Sequence, residues 1–188
     1  MDKDINIRLA TPEDAEGILE VYEPYVTGTA ISFETEVPIV DEMRGRIERT
    51  LQNYPYYIAL KNNKIIGYCY TGPFVGRQAY MHSAETTIYL SDEAKGIGLG
   101  RRFYELLEDI SIKQNITNLY ACIGYPSESN DEYLDDNSER FHAHMGFDLV
   151  GRFHKCGYKF GRWYDMVWME KVLQETTEDF IPFKDLNL

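Results

Sequence analysis

The chain has 188 residues, is 44% hydrophobic and carries a formal net charge of −12. That is the length of one domain with enough apolar material for a core, and the acidity excludes a nucleic-acid duplex or an anionic membrane surface as partner. No stretch approaches the ~20 apolar residues of a membrane span, and the charged opening MDKDINIRLA does not read as a secretory signal. Cys69, Cys122 and Cys156 are widely spaced without a Cys-x-x-Cys pair, which points to a reducing cytoplasm and to no metal site.

Ile5 to Leu9 alternates and predicts a strand. Thr11-Pro12-Glu13-Asp14 then reads as a helix start, with a capping hydroxyl, a proline at the first position and acids at the positive dipole end. Ile18, Leu19, Tyr22 and Val26 continue at helical spacing until the polar stretch TGTAISFETEVP breaks the pattern. Met43, Ile47 and Leu51 predict a second helix ending before Tyr54-Pro55. Tyr56–Leu60 and Ile65–Tyr70 predict strands around a Lys-Asn-Asn-Lys turn, and Met81–Leu90 a third. Leu99, Phe103, Leu106, Leu107 and Ile110 mark one face of a helix. Leu119–Ile123 is a short strand, and Phe141–Gly146 a short helix closed by its glycine. Phe147–Phe153 and Trp163–Val172 complete the strands. The acidic run Asn130–Asn137 reads as a solvated loop, since it lacks the glycine and closing glutamate of a calcium loop. With no repeat or linker, the economical reading is one α+β domain over residues 1–173. The tail 174–188 is either loose or packed through Phe180, Ile181 and Phe183.

Between Leu90 and the Leu99 helix lies Lys95-Gly96-Ile97-Gly98-Leu99-Gly100, followed by Arg101 and Arg102. A strand, a glycine-rich turn and a helix N-terminus form an anion cradle. Free N–H groups and the dipole attract a phosphate, and glycine lets it approach the backbone. The nucleotide loop ending Gly-Lys-Ser/Thr and the dinucleotide spacing GxGxxG are both absent.

Lys95–Gly100 resembles the acetyl-CoA loop of the GNAT superfamily, with lysine where glutamine or arginine is usual. GTAISFETE (Gly28–Glu36), GYCYTGPF (Gly67–Phe74), AETTIYL (Ala84–Leu90), FHAHMGF (Phe141–Phe147) and GYKFGRWYD (Gly157–Asp165) extend the likeness. In that order they resemble the phosphinothricin/methionine-sulfoximine acetyltransferase subfamily, from about Ile5 to Val172. The resemblance implies a GNAT fold: a twisted, mostly antiparallel sheet flanked by helices, with splayed central strands. It implies acetyl-CoA as acetyl donor, a small-molecule primary amine as acceptor, such as phosphinothricin or methionine sulfoximine or sulfone, and a homodimer.

It also implies roles for residues. An acceptor ammonium must lose a proton before it attacks a thioester, so a carboxylate base is needed. Glu85 matches the catalytic glutamate. On a strand it points opposite to Ile88 and Leu90, and to the same side as Thr87. Backbone N–H groups of Ile88, Tyr89 and Leu90 are the implied donors to the acetyl oxygen and the pantetheine. Lys95, Gly96, Ile97, Gly98, Leu99, Gly100 and Arg101 are the implied pyrophosphate loop. Asn137 and Ser138 are the matching positions near the cofactor, with helix capping as their competing role. His142 is an acid for the leaving thiolate, a pocket wall or a plain structural histidine. His142 and His144, two apart on a helix, face away from each other, so no metal is expected. In GPFVGRQAYMH the loop keeps one arginine, Arg77, as the candidate carboxylate ligand, and Phe33 is expected to wall the same cleft. Two other readings stay open: an acetyltransferase for protein N-termini or ribosomal proteins, which needs an open peptide groove, and a non-catalytic acyl-CoA-binding module.

Overall fold

The computed structural model describes residues 5–176 and 178–187. The first four residues of the charged opening, and Thr177 and Leu188 of the tail, lie outside the described residues. The elements in chain order are β1 (Ile5–Leu9), α1 (Ala15–Gly28), α2 (Val40–Leu51), β2 (Tyr56–Lys61), β3 (Lys64–Pro73), β4 (Ser83–Leu90), α3 (Leu99–Lys113), β5 (Asn118–Pro126), α4 (Asn137–His144), β6 (Asp148–Lys159) and β7 (Arg162–Val172).

The start predicted at Thr11 is built by its neighbours. The Asp14 carboxylate accepts the Thr11 N–H at 2.8 Å and pairs with Arg8 at 2.7 Å. Pro12–Asp14 forms one tight turn before α1. The Lys-Asn-Asn-Lys turn works because Asn62 and Asn63 take positive φ, 52° and 63°, which asparagine tolerates better than most residues.

Seven strands make one sheet in the order β1-β2-β3-β4-β5-β7-β6, and every neighbouring pair is antiparallel except β4–β5. Alternation sorts side chains between its faces. Tyr56, Ile58 and Tyr68 pack with α1 and α2, whereas Tyr57, Ala59, Ile66 and Cys69 pack with α3. A third cluster joins β5 and β7 to α3 and α4 through Tyr104, Ala121, Ile123, Met145 and Val167. The sheet therefore stands between α1/α2 on one face and α3/α4 on the other.

The structure differs from the sequence expectation in two places and decides between the alternatives in a third. The strand predicted to stop at Phe153 runs on to Lys159 past an irregularity between Phe153 and Gly157. Lys155 there takes φ 50°. Asp165 pins the bulge by accepting the Lys155 N–H at 2.8 Å and pairing with Arg152 at 2.6 Å; these bonds, with Ser127, hold its carboxyl well below the usual range although burial opposes ionisation. The acidic run is not merely solvated. The Asp131 carboxylate accepts the Tyr133 and Leu134 N–H groups and pairs with Arg162, and Leu134 is buried. Of the two alternatives for the tail, the described residues take the packed one. Phe183 is buried with Ile5 and Tyr57, and the Phe180 ring lies 5.9 Å from that of Tyr54. Backbone bonds tie Ile181 to Gln114 and Phe183 to Asn53.

Candidate active site

β4 pairs with β5 only at Ser83, Ala84 and Glu85, opposite Asn118, Leu119 and Tyr120. Beyond Glu85 the two strands separate. The fork is tied at its apex by Thr86, whose hydroxyl lies 3.1 Å from the Tyr120 carbonyl and 3.1 Å from the Tyr104 hydroxyl. Past that point β4 keeps β3 on one edge and has no strand on the other. The peptide groups facing the gap lack ladder partners there.

A cavity of about 430 Å³ occupies the fork. Glu85, Thr87, Ile88 and Tyr89 line it from β4, and Ala121 to Gly124 from β5. Ser138 and His142 reach it from α4, Phe33 and Glu34 from the segment after α1. Since α1 and α4 lie on opposite faces, the cavity passes through the sheet. Glu85 is half-buried at its edge, and burial pushes its carboxyl above the usual range.

The glycine loop stands at the far end of β4. Gly96 and Gly98 have φ of 74° and 83°, and a Cβ on either would meet nothing within 4 Å. Left-handed backbone and open space together leave a concavity in front of the first N–H groups of α3, which starts at Leu99. Gly100 has a different reason: a Cβ there would come within 2.9 Å of Phe141 on α4. Of the loop's charges, Lys95 is paired with Asp92 at 2.7 Å and Arg101 donates to Nε2 of His144 at 2.8 Å. Ile97 is exposed, while the Leu99 side chain is in the core and offers the concavity only its backbone. Leu90 and Ile88 pack toward α3, and the Leu90 carbonyl accepts the Tyr25 hydroxyl.

His142 is half-buried between the Tyr104, Phe141 and Phe147 rings. Its Nδ1 lies 2.6 Å from the Ser138 carbonyl and must donate to it. Burial lowers its pKa, so the neutral ring presents an unprotonated Nε2. Of the readings of His142, this geometry favours a pocket wall that accepts a hydrogen bond over an acid. Asn137 holds Asp135 and Arg140 at the exposed start of α4 and does not line the cavity, whereas Ser138 does. Arg77 is the departure. It is exposed on the loop between β3 and β4 and lines neither the fork cavity nor its neighbour on the α2 side. Among the described residues no three His, Cys, Asp or Glu side chains gather as metal ligands.

The sequence reading missed the strap over the cavity. Lys159, buried, donates to the Ser32 carbonyl at 2.6 Å, and burial lowers its pKa. Ser32 in turn bonds the Tyr22 hydroxyl at 2.6 Å. A Cβ at Gly157 would overlap the Phe33 ring, which packs directly on that bare backbone. The available signal was a glycine two residues before a lysine on a strand, next to aromatics.

Comparison with known proteins agrees with this architecture. Residues 7–168 match the family described as acetyltransferase (GNAT) domain. A phosphinothricin N-acetyltransferase from Streptomyces coelicolor is 32% identical over 90% of this chain and 97% of its own length. An L-methionine sulfoximine/L-methionine sulfone acetyltransferase from Pseudomonas aeruginosa is 30% identical over 91% of this chain and 96% of its own. The crystal structure of a GNAT superfamily phosphinothricin acetyltransferase from Sinorhizobium meliloti in complex with AcCoA is 30% identical. It superposes with a TM-score of 0.82 over 96% of this chain and 97% of that one. The forked sheet, the glycine loop at its mouth and a family match over most of the length identify the chain as an acetyl-transfer enzyme of the GNAT family.

Proposed function

We propose that the chain moves the acetyl group of acetyl-CoA to the primary amine of a small amino acid analogue, such as phosphinothricin, methionine sulfoximine or methionine sulfone. The observation that carries this reading is the position of Glu85. It is a half-buried carboxylate with a raised pKa, set where the sheet opens into a cavity reached from both faces.

The residues fit the donor. Gly96 and Gly98 leave a concavity in front of the α3 N-terminus that suits a pyrophosphate, with Ile97, Leu99, Gly100 and Arg101 contributing backbone or charge at its rim. The unpaired edge of β4 from Ile88 to Leu90 offers peptide groups to the amides of a pantetheine arm lying where a fifth strand would otherwise pair. Acetyl-CoA held there supplies an acetyl group already activated as a thioester.

The rest is the work of this chain. Glu85 takes a proton from the acceptor ammonium, directly or through water, and its raised pKa makes it a stronger base than an exposed glutamate. Peptide N–H groups of β4 facing the gap are fixed donors for the acetyl carbonyl. Phe33 and Thr87 wall the acceptor side, and Ser138 and His142 wall the donor side.

We also propose that the chain works in the cytoplasm as a homodimer. Its three cysteines are unpaired, and no helix among the described residues is long and apolar enough to cross a membrane. The outer strand β6 and its partner β7 expose Leu149, Val150, Phe153, Tyr158 and Trp163. A second copy would cover this sheet edge, which is otherwise a site of unwanted pairing. A thiol-release assay with acetyl-CoA across amino acids, their sulfone and phosphinate analogues, polyamines and peptides tests the reading. Selective turnover of the compact amino acid analogues is expected, and activity confined to peptides would replace it with the protein-acetylating reading.

A further inference from the structure

A second cavity of about 560 Å³ lies on the α2 side of the sheet. Tyr22, Glu34, Thr87 and Tyr89 line both it and the fork cavity, so the two meet at these side chains. Its floor is the stack of Tyr56, Tyr68 and Tyr70, whose neighbouring centroids lie 4.7 to 6.5 Å apart. Tyr70 stands opposite Thr87 in the β3–β4 register, and Thr87 is two residues from Glu85. The floor therefore continues from the place where Glu85 meets the amine.

The roof of this chamber is cationic. Arg46 and Arg49 reach it from α2, and Glu34 is its single lining carboxylate. Arg46 is already shared between Glu34 at 2.7 Å and Glu42 at 2.5 Å. Arg49 is exposed at the chamber rim and, among the described residues, has no ion-pair partner. Its guanidinium lies over Gly45, where a Cβ would come within 3.0 Å of Nη1. A glycine in mid-helix is unfavourable unless its missing side chain makes room for something, and here the room is taken by the Arg49 head.

We propose, resting on the acetyl-transfer reading above, that this chamber is the side-chain compartment of the acceptor site. Arg49 there receives an oxyanion at the end of the acceptor remote from its amine. The α-carboxylate of an amino acid is two bonds from the amine nitrogen and stays beside Glu85. Only the far end of a side chain reaches past Thr87 and Tyr70. The chamber selects acceptors whose side chain ends in a phosphinate, carboxylate or sulfonate over those ending in a neutral group.

The test compares phosphinothricin, whose side chain ends in an anionic phosphinate, with methionine sulfone, whose side chain is neutral. Parent, Arg49→Ala and Arg49→Lys are assayed with both, and the acetyl-CoA KM is followed alongside. An ionic hydrogen bond of ordinary strength predicts a roughly tenfold or larger fall in kcat/KM for phosphinothricin with Arg49→Ala, carried by KM. Methionine sulfone and acetyl-CoA change less than twofold, and Arg49→Lys keeps part of the preference. Equal effects on both acceptors, no effect on either, or a parent active on the sulfone but not on phosphinothricin overturns the assignment. A parent that releases thiol with no amine at all overturns the acetyl-transfer reading, and this inference with it, whereas the other outcomes leave that reading standing.

Discussion

The two edges of β4 were built to different ends. Along one edge β4 meets β3 at seven consecutive positions, from Gly67 opposite Leu90 to Pro73 opposite Ala84. Along the other it meets β5 at three and then lets go. The zipped edge fixes where Glu85, Thr87 and Tyr89 point. The open edge leaves its peptide groups without ladder partners beyond Glu85, with the Leu90 carbonyl taken up by the Tyr25 hydroxyl, and peptide groups without a partner strand are completed by side chains, water or a ligand. Regularity on one side is what makes a defined gap on the other possible. The Thr86 hydroxyl, bridging Tyr120 and Tyr104 at the fork, is where one behaviour changes to the other.

The largest expected effect comes from the carboxylate at that fork. Glu85→Gln keeps size and removes the base, so kcat at pH 7 is expected to fall by ~10²–10⁴-fold with the acetyl-CoA KM nearly unchanged. In the parent, kcat/KM should rise with pH through a midpoint above that of an ordinary glutamate, because burial raises this carboxyl. The stability consequence has the opposite sign to that of a salt-bridged acid. A carboxyl whose folded pKa is raised weakens the native state once pH exceeds its unfolded value. Glu85→Gln should therefore raise the melting temperature at pH 7 and leave it unchanged near pH 4. A parent-like rate at pH 7 would show that the fork holds its geometry without supplying the base.

Next in size is the mouth of the open edge. Gly98→Val forces a branched side chain into φ 83°, which costs roughly 1–2 kcal/mol, and fills the concavity before α3. Loss of one ionic contact to a phosphate corresponds to roughly a ten- to hundredfold rise in the acetyl-CoA KM. Titration of CoA against the folded variant checks this directly, and unchanged affinity would move the pyrophosphate elsewhere.

A smaller effect is expected on the acceptor side. Gly157→Ala places a methyl against Phe33 and pushes the ring into or out of the cavity. The acceptor KM should change several-fold while CoA affinity holds. A change in CoA affinity alone would mean that Phe33 walls the donor.

The sequence displayed the zipped half of this design well and the open half poorly, for physical reasons. β1 and α3 are visible because their apolar periods record burial on one face, as in Leu99, Phe103, Leu107 and Ile110, and β2 because its apolar run is buried on both. The glycine loop is visible because positive φ demands glycine at two spaced positions. β6 beyond Phe153 was hidden because its continuation depends on Asp165, a residue of the next strand. The Lys159–Ser32 strap joins positions 127 apart, and no local pattern records such a bond. Arg49 sits on a polar helix face, where one more arginine carries no signal until the cavity beneath it is seen.

The smallest effect is expected at Arg77, the arginine most conspicuous in the sequence. It is exposed and lines neither the fork cavity nor the chamber on the α2 side. In a single chain Arg77→Ala should therefore change the acceptor KM by less than about threefold, an effect smaller than that of Arg49→Ala with phosphinothricin. The variants are best compared at two protein concentrations. If Arg77→Ala grows costly only where the protein self-associates, the loop reaches an acceptor through the second copy. If it is costly at every concentration, the loop closes over the fork of its own chain, and the acceptor carboxylate is held from the β3–β4 side after all.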